Sequence, residues 1–98
     1  SGTSNTAGAD WVLRASMSTG NANGGDLVVK LSPAGSSGTA QNDAVEALRF
    51  QAATRALKIA NAVAAPADTP SSSGYLYVES GALKYKGSSG TVTTLATA

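Results

Sequence analysis

The stretch Tyr75-Leu-Tyr-Val-Glu-Ser-Gly-Ala-Leu-Lys-Tyr-Lys86 carries the clearest structural signal in this chain. Two runs rich in aromatic and aliphatic side chains flank Ser80-Gly81, a pair suited to a tight hairpin turn. A third run, Thr91-Val-Thr-Thr-Leu95, follows a turn rich in Gly and Ser. Together these three runs predict a C-terminal antiparallel β-meander.

The meander is predicted to have two unlike faces. Alternation along the first strand places Leu76 and Val78 on one face. Tyr75, Tyr77 and Glu79 then lie on the other. One face is therefore apolar and needs a cover, for which we expect another copy of the chain.

The region before the meander is less certain. Residues 64–74 contain two prolines and several serines, so we predict a linker without regular structure. The pattern over 44–63 fits two structures, because Leu48/Phe50 and Leu57/Ile59 alternate as strands do, whereas a longer set of apolar residues has helical spacing. We favour two strands. A helix capped by Asp43 is the competing interpretation.

Two more strands are predicted upstream, Trp11-Val-Leu-Arg-Ala-Ser16 and Asp26-Leu-Val-Val-Lys-Leu-Ser32, separated by an Asn- and Gly-rich loop. The first residues have no periodicity and are predicted to form an extended arm. The expected organisation is a single domain of mainly β class with four parts: an arm at 1–10, a strand-rich body at 11–63, the linker at 64–74 and the meander at 75–96. The chain begins at Ser1 without Met, as a processed protein or part of a longer one would.

The composition indicates that the chain needs partners to be stable. Ala, Ser, Gly and Thr number 19, 13, 11 and 10, so more than half of the side chains are small and bury little area. Without cysteine there is no disulfide, and without His or Cys a structural zinc site is not expected. Self-association is the remaining way to stabilise so small a domain. We therefore expect an intertwined homo-oligomer, with a trimer as the favoured state.

Several functional classes are not supported by the sequence. Catalysis of the Ser-His-Asp or Cys-His type lacks its residues, and the six carboxylates are scattered, so we do not expect an enzyme. Asn21, Asn23 and Asp26 supply oxygen atoms, but their spacing matches no calcium loop, and we expect no metal or other cofactor. The net charge of +1 and the lack of a long apolar run argue against nucleic acid and membrane insertion.

The aromatic residues are the candidate contacts with a partner. They are predicted to pack between strands and subunits or to form a platform on which a sugar stacks: Trp11, Tyr75, Tyr77 and Tyr85. The basic residues alternate with apolar neighbours, which predicts solvated strand faces; they are Arg49, Arg55, Lys58, Lys84 and Lys86.

The segment from Gly74 to Ala96 resembles one that recurs near the ends of tail-fibre and other virion structural proteins of tailed bacteriophages, and 64–70 resembles the linker before it. This resemblance covers about the last third of the chain, and Gly24–Leu31 is similar in style to repeated strands of such proteins. It implies an extended, trimeric β-structured fibre or a surface decoration of the capsid or tail. Localisation in the virion, outside the cell, and contacts with other virion proteins are implied with it.

Two alternatives remain open. The first alternative to a virion structural protein is a fibre tip that binds a receptor or a host surface glycan through its aromatic residues. The second is a subunit of a non-viral extracellular filament. A filament would form by donation of the arm to a neighbour's sheet edge.

Overall fold

The computed structural model describes residues 5–98, and within this range it contains six β-strands and no helix. Three strands, β1 (Leu27–Leu31), β2 (Val45–Phe50) and β3 (Leu57–Ile59), form sheet A in that order. The other three, β4 (Tyr75–Glu79), β5 (Ala82–Lys86) and β6 (Val92–Ala96), form sheet B. All neighbouring strands are antiparallel. The expected mainly β class is confirmed.

The ambiguous region forms strands β2 and β3, so the helical alternative is wrong. Their connection is a tight turn in which the Arg55 N–H donates to the Gln51 carbonyl at 2.7 Å, and the Gln51 N–H donates to the Ala56 carbonyl at 3.0 Å. Arg55 has a φ of 60°, a left-handed value that a continuous helix would not contain. The local alternation of Leu48/Phe50 and Leu57/Ile59 therefore outweighed the helical spacing.

The strand predicted at Trp11–Ser16 is not formed. Residues 11–16 lie in irregular backbone, although Asp26–Ser32 yields β1 as expected. A strand is stable only when its backbone groups pair with a neighbour. At the end of this segment the Gly25 N–H donates to the Ser16 carbonyl at 3.0 Å, and there the pairing stops.

Sheet B is the predicted meander, and the linker packs against it. Ser80 and Gly81 have φ values of 50° and 82°, the left-handed pair that a two-residue hairpin turn with primed geometry requires. Residues 64–74 contain no helix or strand, and Pro70 within them is buried. On the covered face of the sheet, Tyr77 is only 7% exposed.

Lys86 corrects one prediction, because it does not lie on a solvated strand face. Its side chain is among the most buried in the chain, at 8% exposure, and its Nζ donates to the Pro66 carbonyl at 2.9 Å. The aliphatic stem of lysine can lie against apolar surface while the ammonium group finds an acceptor. Here that acceptor belongs to the linker. The hydrogen bond therefore holds residues 64–74 against sheet B.

A short segment connects the two sheets. The Ala60 N–H donates to Ala47 of sheet A at 3.0 Å, and the Ala62 N–H donates to Val78 of sheet B at 2.6 Å. Between them, the Asn61 side chain accepts the Gly81 N–H at 2.9 Å. The substantial contacts between strands are all made within one sheet or the other, so the sheets do not form a two-layer sandwich.

The outer edge of sheet B that β6 forms carries no charged side chain. Strand β6 is paired on one side alone, all five of its residues are exposed, and no charged side chain occurs from Gly87 to Ala98. Among residues 5–98, no helix exists that is long and apolar enough to cross a membrane.

Candidate assembly surface

Sheet A has one wholly apolar face. Paired residues of an antiparallel sheet share a face, and alternate residues of a strand point the same way. The bulge between β1 and β2 inserts Ala47 and keeps the pattern in phase beyond it. The face so defined, called the apolar face below, consists of Leu27, Val29, Leu31, Val45, Leu48, Phe50, Leu57 and Ile59.

No part of the described chain covers most of this face. Leu27, Leu48 and Ile59 are half-buried, whereas the other five residues are 41–61% exposed. At one end a cleft of about 590 Å³ separates Leu27 and Phe50 from Leu13 of the N-terminal segment. A soluble protein rarely leaves such a continuous set of large apolar side chains in water, so the face has the character of an interface.

The opposite face of sheet A is charged and internally paired. Arg49 lies between two carboxylates: its Nη1 donates to Asp26 Oδ2 at 2.6 Å, and its Nη2 donates to Glu46 Oε1 at 2.7 Å. The other oxygen of Asp26 accepts the Ala52 N–H at 2.8 Å. This cluster ties the start of β1 to β2 and to the turn after it.

The cluster shifts the protonation equilibria of its members. The hydrogen bond from the Ala52 N–H, and then those from Arg49, hold the pKa of Asp26 below its ordinary value. Hydrogen bonding from Arg49 lowers the pKa of Glu46 as well, and both carboxylates raise the pKa of Arg49. All three side chains are a quarter to a third exposed, so the pairs stay in contact with water and contribute modestly to stability.

Both oxygens of Asp26 accept a hydrogen bond, Oδ2 from Arg49 and Oδ1 from the Ala52 N–H. Within residues 5–98, no cluster of three or more carboxylates that could hold a metal ion is present.

Sheet B presents a second, smaller apolar face. Leu76 pairs with Tyr85, and Val78 pairs with Leu83, on the side away from Tyr77. Leu76 and Tyr85 are exposed, and the Tyr85 ring lies so close to Gly74 that a Cβ at that position would clash with it. This is the face for which the sequence predicted a need of cover.

The four aromatic residues named from the sequence do not form one platform. Tyr75 and Tyr77 share the face of sheet B that the linker covers, and the Tyr75 hydroxyl donates to Asp68 Oδ2 at 2.7 Å. This hydrogen bond raises the pKa of Tyr75. Tyr85 lies on the other face of sheet B, and Trp11 belongs to the irregular N-terminal segment, where it is 87% exposed. Trp11 and Tyr85 are thus the members available to a partner.

The sequence interpretation missed the extent of the apolar face. It identified the alternation in each strand separately, but it did not bring Leu31 and Val45 together with Phe50 and Leu57. The available signal was that odd-numbered positions of 27–31 and even-numbered positions of 48–50 are all aliphatic or aromatic. Joining them requires the strand register, including the bulge at Ala47.

Comparison with known proteins identifies no relative. No family model matches this chain, and no match was found among curated proteins or solved structures. The function is therefore inferred from the geometry of the chain and from the resemblance of its C-terminal segment.

Proposed function

We propose that this protein is a non-enzymatic structural component of a tailed-phage particle, a fibre or surface decoration, that acts by assembling with copies of itself into a closed trimer. It works outside the cell as part of the virion and contacts other virion proteins. Its role is mechanical, and it needs no cofactor.

One observation carries the assembly proposal. The accessible surface of the chain is 7957 Å², whereas a compact monomer of 9.6 kDa exposes about 5,100 Å². The radius of gyration is 19.0 Å, against about 13 Å for a compact domain of this length. The excess of roughly 2,900 Å² is of the size that an obligate oligomer buries.

The distribution of side chains supports the same mode of action. The apolar face of sheet A supplies the hydrophobic contact area, and the near-neutral charge of +1 leaves little repulsion between copies. Small side chains elsewhere allow backbones of neighbouring chains to approach closely. Chains that wrap around one another in this way unfold slowly, which suits a particle exposed to the environment.

The assignment to a phage particle has its support in the C-terminal segment. Residues 74–96 resemble the segment found near the ends of tail-fibre proteins, and this stretch includes the three strands of sheet B. A fibre tip that binds glycans draws less support, since Trp11 and Tyr85 lie in different parts of the chain.

The test is the mass of the native assembly by light scattering, for the wild type and for two variants of adjacent residues. Leu57→Glu places a charge on the apolar face, whereas Lys58→Glu changes the opposite face and serves as the control. We expect about 29 kDa, three chains, for the wild type and for Lys58→Glu, and dissociation for Leu57→Glu, because a buried unpaired carboxylate is costly.

A cooperatively folded wild-type monomer at every concentration would overturn the assembly proposal. A ladder of increasing sizes would overturn the closed trimer and favour the open filament. Equal dissociation of both variants would show that the apolar face is not the interface.

A further inference from the structure

The segment Trp11–Ala15 has the sequence of a strand but no partner for it. Trp11, Val12 and Leu13 are 87%, 77% and 58% exposed. Among the described residues, no backbone hydrogen bond involves 5–15. Because Trp11, Leu13 and Ala15 would share one face of an extended strand, this segment matches the apolar face of a sheet in composition.

The nearest edge with which this segment could pair belongs to sheet A of its own chain. The register available there places the side chains on the wrong faces. The Gly25 N–H donates to the Ser16 carbonyl, which is the first bond of an antiparallel hairpin. Continued in the same register, the hairpin would set Arg14 opposite Leu27 and Val12 opposite Val29. Arg14 would then lie on the apolar face, and Trp11 and Leu13 on the charged one.

A shift of one residue reverses this arrangement. With Leu13 opposite Val29, both Trp11 and Leu13 lie on the apolar face, and Arg14 turns toward the charged one. Within one chain the Ser16–Gly25 bond fixes the unfavourable register, whereas a neighbouring chain imposes no such bond. The outer edge of β1 in that neighbouring chain is unpaired. The five residues of the segment match the five residues of β1 in length.

We propose that Trp11–Ala15 of one copy adds as a fourth antiparallel strand to the β1 edge of a neighbouring copy, with Leu13 opposite Val29. This inference rests on the proposed self-assembly and names the segment and the edge that join the copies. In a closed ring each copy donates one segment and accepts one, so every segment is paired along the side that faces β1. The added strand extends the apolar face by Trp11 and Leu13.

The experiment is disulfide trapping, for which the absence of cysteine in the chain gives a clean background. Leu13→Cys and Val29→Cys are made as separate variants, mixed, assembled and oxidised, so that any bond between them joins two chains. The control is the double variant Leu13→Cys/Val28→Cys, which forms a bond within one chain if the hairpin register continues. Products are separated on a non-reducing denaturing gel, and light scattering gives the native mass of the same samples.

We expect covalent dimers in the mixture, beyond the level that each single variant gives alone, and little internal bonding in the control. Assembly of normal mass without cross-linked dimers would overturn the exchange of the segment while leaving self-assembly intact. Efficient internal bonding of the control would show that the segment remains with its own chain. A mass of one chain in all samples would overturn both proposals.

Discussion

At the scale of single residues, Arg49 is the centre of the polar side of sheet A. Its guanidinium joins Asp26 and Glu46, which are distant in sequence from one another, and Asp26 also accepts the Ala52 N–H. The sequence interpretation treated these carboxylates as scattered. Their convergence depends on the register of β1 against β2, which pairs Val28 with Arg49.

The cluster predicts a loss of stability in acid. Both carboxyl groups have a pKa below the ordinary values of 3.8 for Asp26 and 4.5 for Glu46. Their contribution is therefore present above these values, and it disappears as the pH falls through the lowered pKa of the folded state. At fixed protein concentration, we expect the urea concentration at the midpoint of unfolding to decrease once the pH falls below about 4.5.

Asp26→Asn should flatten this pH dependence and lower the midpoint at neutral pH. Asp43→Asn, which removes the same charge outside the cluster, is the control and should retain the wild-type profile. Identical profiles for wild type and Asp26→Asn would contradict the role of the cluster.

At the scale of elements, the β4–β5 hairpin depends on its turn. Gly81 has a φ of 82°, where a Cβ is strained, and a Cβ there would also lie 3.2 Å from that of Ala98. We expect Gly81→Ala to lower the free energy of unfolding by about 1–2 kcal/mol. Unfolding in urea measures this change in the free energy of unfolding.

Gly87→Ala is the matched control, because Gly87 has no positive φ and a Cβ would meet Tyr85 at an ordinary 3.6 Å. Its effect should stay within about 0.5 kcal/mol. A Gly81→Ala variant as stable as Gly87→Ala would show that the turn tolerates a side chain.

Elements were predictable from the sequence where local patterns decide them. The meander follows from Ser80-Gly81 and from the alternation on either side of it, and β1 follows from the run Leu27–Leu31. Trp11–Ser16 has the same local pattern and yet forms no strand, because strand formation also needs a partner edge in the right register. The site, an entire sheet face, depends on two strand registers and a bulge at once, which no local pattern contains.

At the scale of the whole molecule, the stability of the fold should depend on concentration. Ligands or subunits that bind the folded state raise its stability by mass action, and in the proposed assembly the ligand is another copy of the chain. Trp11, the single tryptophan, reports on this process. Its 87% exposure in the separate chain should fall on assembly, if its segment adds to a neighbour.

We therefore expect Trp11 emission to shift to longer wavelength on dilution, over the range of concentration in which light scattering records dissociation. Mass and emission should change together. Dissociation with constant emission would place Trp11 outside the interface between copies.

The exposed edge of β6 makes the separate chain prone to pair with other strands. An exposed, uncharged edge strand is a template for further strands, and proteins usually block such edges with charge, proline or a cover. No charged side chain occurs from Gly87 to Ala98. If the proposed assembly is correct, a newly made copy thus faces two competing reactions, encounter with other copies and irregular cross-β aggregation. Aggregation recruits many copies and so rises more steeply with concentration than a closed assembly does. High local abundance would therefore favour the second reaction, whereas slow, dilute production would favour the first.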